Sequence, residues 1–392
     1  MNKNEKVFFS CVGMIEYDNK IWFSARETNG LFRMGLHGEN FEYMGSFPNE
    51  PEDKTYLYGE CVVYEEKIIF APNMAQELAV YDMKKQMFQN IPLDTKLCNN
   101  QYLAIVKWND EVFLLPAKNR NRIIVRINIK NGDIQYIDDW QNKFIIDDNA
   151  ENIFFDYCIK ENILYAPVIS SKGQIMKYNL ETQDISCIQM ATTESYRGIC
   201  CDGEKFYLCS QSGNELVIVS ECFEKIDSKI ISEYNDITIK NIFYRKGKVF
   251  LFTISSYDSM LDDMIIGYDV HSKNVQTLVR INSSEGKTNC AGLGRQFAVF
   301  CDNDSIIYSL HGGNGMLYEI DSINVEVNKN KVQRIDALPI FQEKYIRNNG
   351  NVSFGEKKDG SKLLDFLIKI KNNSQEKQEK NYGKKIWGKI RD

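Results

Sequence analysis

The side chains best suited to chemistry in this 392-residue chain are few and far apart. Two neighbouring carboxylate pairs, Asp147-Asp148 and Asp262-Asp263, offer the hard oxygen ligands that Ca²⁺ prefers. Adjacent aspartates are also common in exposed turns. Asp262 and Asp263 are the candidate metal ligands; the expectation is no cofactor, with Ca²⁺ as the alternative. His311, beside Gly312-Gly313, carries an imidazole that titrates near neutrality and has the chemistry of a general base. The only other histidines are His37 and His271, so a multi-histidine metal centre is hard to assemble. The 11 cysteines include no CxxC pair, and Cys61, Cys158, Cys200, Cys209 and Cys301 sit in apolar runs, where a thiol behaves as a small hydrophobe. Vicinal Cys200 and Cys201 would alternate across a strand. There is no G-x-S-x-G elbow, no phosphate-cradling GxxxxGK[ST], no HExxH and no EF-hand loop. No residue is therefore assigned as catalytic.

A repeat positions these groups. A short apolar strand, a polar turn and a second apolar strand recur as GMIEYDNKIWFSA, CVVYEEKIIFAP, AIVKWNDEVFLLP, FFDYCIKENILYAP, GICCDGEKFYLCS, NIFYRKGKVFLFT and AVFCDNDSIIYSL. The second strands centre on Trp22, Ile69, Phe113, Leu164, Tyr207, Phe250 and Ile307, at spacings of 43 to 57 residues. Turn residues such as Asp18-Asn19, Asn109-Asp110, Asp202-Gly203 and Lys246-Gly247 mark each pair as a β-hairpin. A third strand follows, in LAVYDMKKQMFQNI, IIVRINIKNGDIQYI, IMKYNLETQDISCI and IIGYDVHSKNVQTLV, and then a fourth. Asp82, Asn128, Asn179 and Asp269 end the third strands, where their side chains can bond the next backbone amides. Four strands per unit, seven times over, predict an all-β fold: a seven-bladed β-propeller of four-stranded blades. An aromatic content of 12% agrees.

The cadence resembles degenerate kelch repeats. IIYSLHGGNGMLYEID carries a double glycine after its second strand, and MIIGYDVHSKNVQTLV is similar to the second half of a kelch motif. The other six copies lack the double glycine, and the late Trp of a kelch blade is absent. The resemblance covers roughly residues 8 to 335 and implies a binding platform whose ligands meet the loops between second and third strands and those joining the blades. On those loops the candidate ligand-binding residues are Arg26, Tyr58, Tyr102, Arg120, Tyr196, Arg197, Tyr257 and His311. Tyrosines with both signs of charge suit a polar ligand, either a protein or a glycan-like molecule.

The formal charge of -6 hides an asymmetry. Residues 344 onward hold 13 Lys or Arg against 6 Asp or Glu, leaving a net of -13 on residues 1 to 343. The chain thus divides into a propeller over 1–343 and a C-terminal tail over 344–392. The acidic body disfavours nucleic acid, whose phosphates need a positive footprint. In the tail, SKLLDFLIKIK predicts a short amphipathic helix near 361–371, and NYGKKIWGKIRD mixes aromatic, aliphatic and basic residues. The segment 380–392 is a candidate contact for a partner or an anionic membrane surface. The N-terminus MNKNEKVFFSCVGMIEYDNK lacks an apolar signal core, which predicts a cytoplasmic protein. The expected function is non-enzymatic recognition of a protein or polar glycan-like ligand on the loop face. The alternative is a carbohydrate-active or lactone-hydrolysing enzyme using acidic residues at the channel mouth.

Overall fold

Hairpins organise the chain, and several close on turn residues that accept a left-handed backbone. The computed structural model describes residues 10–26, 28–51, 54–94, 101–120, 122–169, 171–192, 194–211, 213–231, 237–255, 261–282, 297–301, 305–312 and 314–331. Asp18 and Asn19 sit at φ 54° and 55°, and Lys246 and Gly247 at 47° and 78°, paired positive values that match the twist of the strands they join. Each hairpin gains a third and a fourth strand, giving seven antiparallel sheets in which strand order follows chain order. In one sheet the fourth strand is split into Met87–Phe88 and Ile91–Pro92. The blades span 14–45, 58–92, 102–137, 158–189, 196–230, 237–281 and 297–331, and are numbered 1 to 7 below. The fold is the expected seven-bladed all-β propeller. Tyr257 and the tail over 344–392, with its expected helix, lie outside the described residues.

The aspartates and asparagines ending the third strands act as expected. The amides of Lys130 and Asn131 donate to Asn128 Oδ1 at 3.0 and 3.1 Å, and those of His271 and Ser272 to Asp269 Oδ1 at 3.1 and 2.8 Å. Each side chain thus satisfies amides that the ladder leaves open at the turn.

The core is divided into seven wedges, one between each pair of neighbouring blades. In blade 6 alternate residues of the second strand, Lys248–Ser255, point to opposite faces. Val249 and Leu251 join Tyr207, Ile218 and Ile242 against blade 5, while Phe250 and Phe252 join Phe297, Ile307 and Tyr318 against blade 7. A strand buried on both faces has to be apolar throughout, which is why the second strands read as unbroken hydrophobic runs. Cys200 and Cys201 alternate in the same way, Cys200 packing towards blade 6 and Cys201 towards blade 4. The ring closes without exchange of a strand. Met14, Phe23 and Phe32 of blade 1 pack on Ala298, Phe300, Tyr308 and Leu310 of blade 7. At the rim, His37 Nδ1 lies 2.7 Å from Glu319 Oε1.

Near the axis the first strands crowd one another, and there glycine is needed for close approach. A Cβ on Gly59 of blade 2 would fall 2.5 Å from the Leu103 carbonyl oxygen and 2.9 Å from its Cα, both in the first strand of blade 3. Backbone cannot yield as a side-chain end can. Gly59→Ala is therefore expected to cost about 1–3 kcal/mol in chemical denaturation, in the range of overpacked core substitutions. Gly267→Ala, whose Cβ would meet only Leu278 side-chain carbons at 3.5 to 3.7 Å, should stay within about 0.5 kcal/mol.

Candidate functional site: the channel mouth

Antiparallel order places the starts of first and third strands, and the ends of second and fourth strands, on one face of the ring. The loops between second and third strands and the segments joining blades lie on that face. Close to it, four of the first strands carry one extra residue relative to their hairpin partners. The irregularities fall between Tyr58 and Cys61 in blade 2, at Leu103 in blade 3, at Arg197 in blade 5 and at Lys240 in blade 6. Such bulges turn a side chain out of the ladder.

Register shows that the extra residues share a position. Ile105 pairs with Leu114, Cys158 with Tyr165, Ile199 with Leu208 and Ile242 with Leu251. Two residues ahead of these first-strand residues stand Leu103, Asp156, Arg197 and Lys240, in blades 3 to 6. Glu60 of blade 2 lies one residue ahead of Cys61, which pairs with Phe70. Asp156 acts electrostatically on Glu60 although blade 3 separates their strands, so the two carboxylates lie near one another. Glu60, Asp156, Arg197 and Lys240 form a ring of ionisable groups at the channel mouth.

Each of the four is half-buried but surrounded by protein, and enclosure dominates its titration. Burial, then the charge of Asp156, pushes Glu60 up to about 8, against the Ile105 amide that favours its ionised form. Burial likewise raises Asp156 to about 7, even though it accepts the amides of Tyr157 at 2.9 Å and Ile199 at 3.2 Å. Lys240 is brought down to about 8 by burial and by Arg197, with Asp263 and Cys209 opposing. Burial also lowers Arg197, whose guanidinium carbon sits 3.9 Å from the Phe155 ring centre. At pH 7 Glu60 is then mainly neutral and Asp156 about half ionised while Arg197 and Lys240 are mainly charged, so within these four residues positive charge exceeds negative.

Of the residues singled out from sequence, Arg197 alone belongs to this ring. Arg26 is buried and lies over the Tyr56 ring at 4.4 Å. Tyr58, Tyr102 and Tyr196 are buried in the wedges between blades 1 and 2, 2 and 3, and 4 and 5 respectively. Arg120 is exposed, beside Glu151. His311 ends the second strand of blade 7 and Asp263 begins the third strand of blade 6, both buried, at 0% and 1% exposure. His311 Nε2 lies 3.0 Å from Asp263 Oδ2, while Asp263 Oδ1 accepts the Ser255 amide at 2.9 Å and the Ser255 hydroxyl at 3.1 Å. Asp262 is only half-buried. The Asp263-His311 pair therefore clamps blade 6 to blade 7. A Ca²⁺ ion at Asp263 would have to displace these bonds, and among the described residues no three His, Cys, Asp or Glu side chains are grouped to hold a metal. Sequence reading missed Glu60, Asp156 and Lys240. For Asp156 and Lys240 the signal was present, as a polar residue in FDYC and IKNI standing where Leu103 stands in YLAI and Arg197 in YRGI; Glu60, one residue later in YGEC, had no such signal.

No family model matches the chain, and no curated protein matches it. Solved structures do. A catalytically inactive virginiamycin B lyase from Staphylococcus aureus with quinupristin is 13% identical at a TM-score of 0.57, covering 79% of this chain and 96% of that one. YCF48 bound to D1 peptide is 12% identical at 0.56, covering 81% and 95%. The extracellular domain of a putative hybrid two component system from B. thetaiotaomicron is 14% identical at 0.55, covering 81% of this chain and 40% of that one. At such identities the likeness shows the fold, a seven-bladed β-propeller.

The ring makes stability depend on pH in a specific way. Folded Glu60 and Asp156 hold protons that the unfolded chain releases near 4.5 and 3.8, so stability should fall as pH rises from about 4 to 8. Lys240 reverses the trend, because between about 8 and 10.5 the unfolded chain binds the extra proton. The ring's contribution is thus least favourable near pH 8. Glu60→Gln should raise stability there, by on the order of a few kcal/mol at most, and converge with wild type below pH 4.5. Thermal unfolding of both proteins from pH 4 to 10 measures this.

Proposed function

We propose that this propeller is a non-enzymatic binding module that takes a protein or peptide on its loop face, with the channel-mouth ring as its recognising contact. The observation that carries the reading is the convergence of Glu60, Asp156, Arg197 and Lys240, from four blades, on one partly dehydrated opening. Enclosing charge costs stability, and strongly shifted groups gather where a ligand recovers that cost. Of the two carboxylate-imidazole couples among the described residues, Asp263-His311 is buried between blades and offers no face to a substrate, and His37-Glu319 sits at the rim between blades 1 and 7. A glycan ring would stack on exposed aromatic faces, and Tyr58, Tyr102 and Tyr196 are packed in the core. YCF48, a propeller of similar fold, is bound to a peptide.

Other parts of the reading are proposals too. A kelch-like origin of the blades rests on Gly312-Gly313 and the third-strand cadence. A cytoplasmic setting is consistent with the buried free thiols of Cys61, Cys200 and Cys209. Contact of 380–392 with a partner or an anionic membrane rests on composition. The test of function is a displayed library of random peptides, read together with amine labelling. With its ammonium weakened to about 8, Lys240 should be among the fastest lysines to acetylate at pH 8, and a selected peptide should slow that labelling several-fold. Turnover of glycosides or lactones that is lost in Asp263→Asn would overturn the non-enzymatic reading.

A further inference from the structure

Arg197 and Lys240 occupy the same bulge position in consecutive blades, so they reach the channel at one height from adjacent strands. Asp156 acts on Arg197 and Asp263 on Lys240 only at a distance. Among the described residues no carboxylate lies within ion-pairing distance of either, and Arg197 Nε is buried without a hydrogen-bond partner. The nearest candidate counter-ion is committed elsewhere: Asp156 turns its oxygens to the amides of Tyr157 and Ile199. Asp263 is held by His311 and Ser255. The Phe155 ring lies 3.9 Å from the Arg197 guanidinium carbon, a cation–π contact that holds the charged end in place. Two enclosed cations with no ion pair among the described residues, one of them a planar fork held against an aromatic ring, are complementary to a single planar anion placed between them.

We propose that Arg197 and Lys240 form a carboxylate subsite, which takes the free carboxylate of a peptide entering the channel mouth from the loop face. The inference rests on the peptide-binding reading and names the group recognised. The rest of the opening suits a peptide behind that carboxylate. Protonated Glu60 has a hydroxyl to donate to a backbone carbonyl, and the described tyrosines among the named loop residues, Tyr58, Tyr102 and Tyr196, are buried and hold no sugar ring. Either a chain terminus or an acidic side chain supplies the carboxylate, and the two are separable by probe.

The experiment uses the full chain at pH 6.5 and calorimetric titration with three probes: N-acetyl-Ala-Ala with a free carboxylate, the same dipeptide as its amide, and N-acetyl-Asp-amide. A carboxylate probe should bind and the dipeptide amide should not. The free dipeptide being the tighter identifies a chain terminus, and N-acetyl-Asp-amide being the tighter identifies an acidic side chain. Arg197→Gln and Lys240→Met should each weaken the carboxylate probe about tenfold or more, the loss expected for one charge-assisted contact. Arg197→Lys, which keeps the charge but loses the fork, should lie in between and covers the case in which Arg197→Gln does not fold. Inorganic phosphate displacing the probe and binding more tightly than either carboxylate would overturn the assignment, as would failure of both carboxylate probes to bind. If library-selected peptides bind wild type and the Arg197→Gln/Lys240→Met double variant equally, the subsite is wrong while loop-face binding stands. If no peptide binds wild type, the wider reading fails.

Discussion

Convergence on an axis is the constraint from which the rest of this molecule follows. Seven sheets arranged about one line have little room where they meet and more room outward, so side-chain volume must taper. Close to the axis the packing partners are small or absent, as at Gly59 against the Leu103 backbone and Gly198 against Cys209. Further out, Trp22, Tyr81, Tyr178, Tyr207 and Tyr268 fill the wedges, with contacts such as Phe113 to Tyr178 at 5.6 Å edge-on and Tyr207 to Tyr268 at 6.4 Å. The aromatic content of the chain is this filling. Because each wedge is made by two blades, no blade has a core of its own, and ring closure between blades 7 and 1 completes a cycle of equivalent contacts.

The same convergence decides where charge can be placed. On a first strand, side chains of the regular ladder go to the wedges on either side, whereas a residue displaced by a bulge, or one just ahead of the ladder, is free of that alternation. Arg197 and Lys240 face the axis for that reason, and Asp156 does so from the matching place just ahead of Cys158. Once there, each group is enclosed by several blades at once, which explains why Glu60 and Asp156 rise while Lys240 falls. The bulge sets the position and the enclosure sets the titration.

This division explains what could be read from sequence. Hairpin turns, apolar second strands and third-strand Asx turns are local features, repeated seven times, and Asp18-Asn19, KVFLFTIS and Asp269 each behave as their own segment indicates. The site is different, because a bulge is a mismatch between two strands and is invisible in either one. Tyr58, Tyr102 and Tyr196 were plausible at the mouth by sequence position, yet each stands at or just before a bulge and turns into a wedge, while the residue after it in blades 3 and 5 is the one displaced. His311 and Asp263 were separate candidates 48 residues apart, and only the meeting of blades 6 and 7 makes them one buried pair.

That pair marks the difference between a fold's use of polar groups and a site's use of them. Asp263 and His311 are fully enclosed, yet the Asp263 carboxylate has donors on both oxygens and His311 is shared between Asp263 and Asn314, so burying them strengthens the joint between blades. Arg197 and Lys240 are enclosed less, yet among the described residues neither has an ion pair and Arg197 Nε has no hydrogen bond, so for them enclosure is a cost that the free protein bears. A propeller has ample apolar material for its axis, as Leu103 shows at the same bulge position in blade 3. Cations standing where leucine fits, with no described carboxylate in ion-pairing distance, set these two positions apart from the polar groups that the fold uses to join its blades.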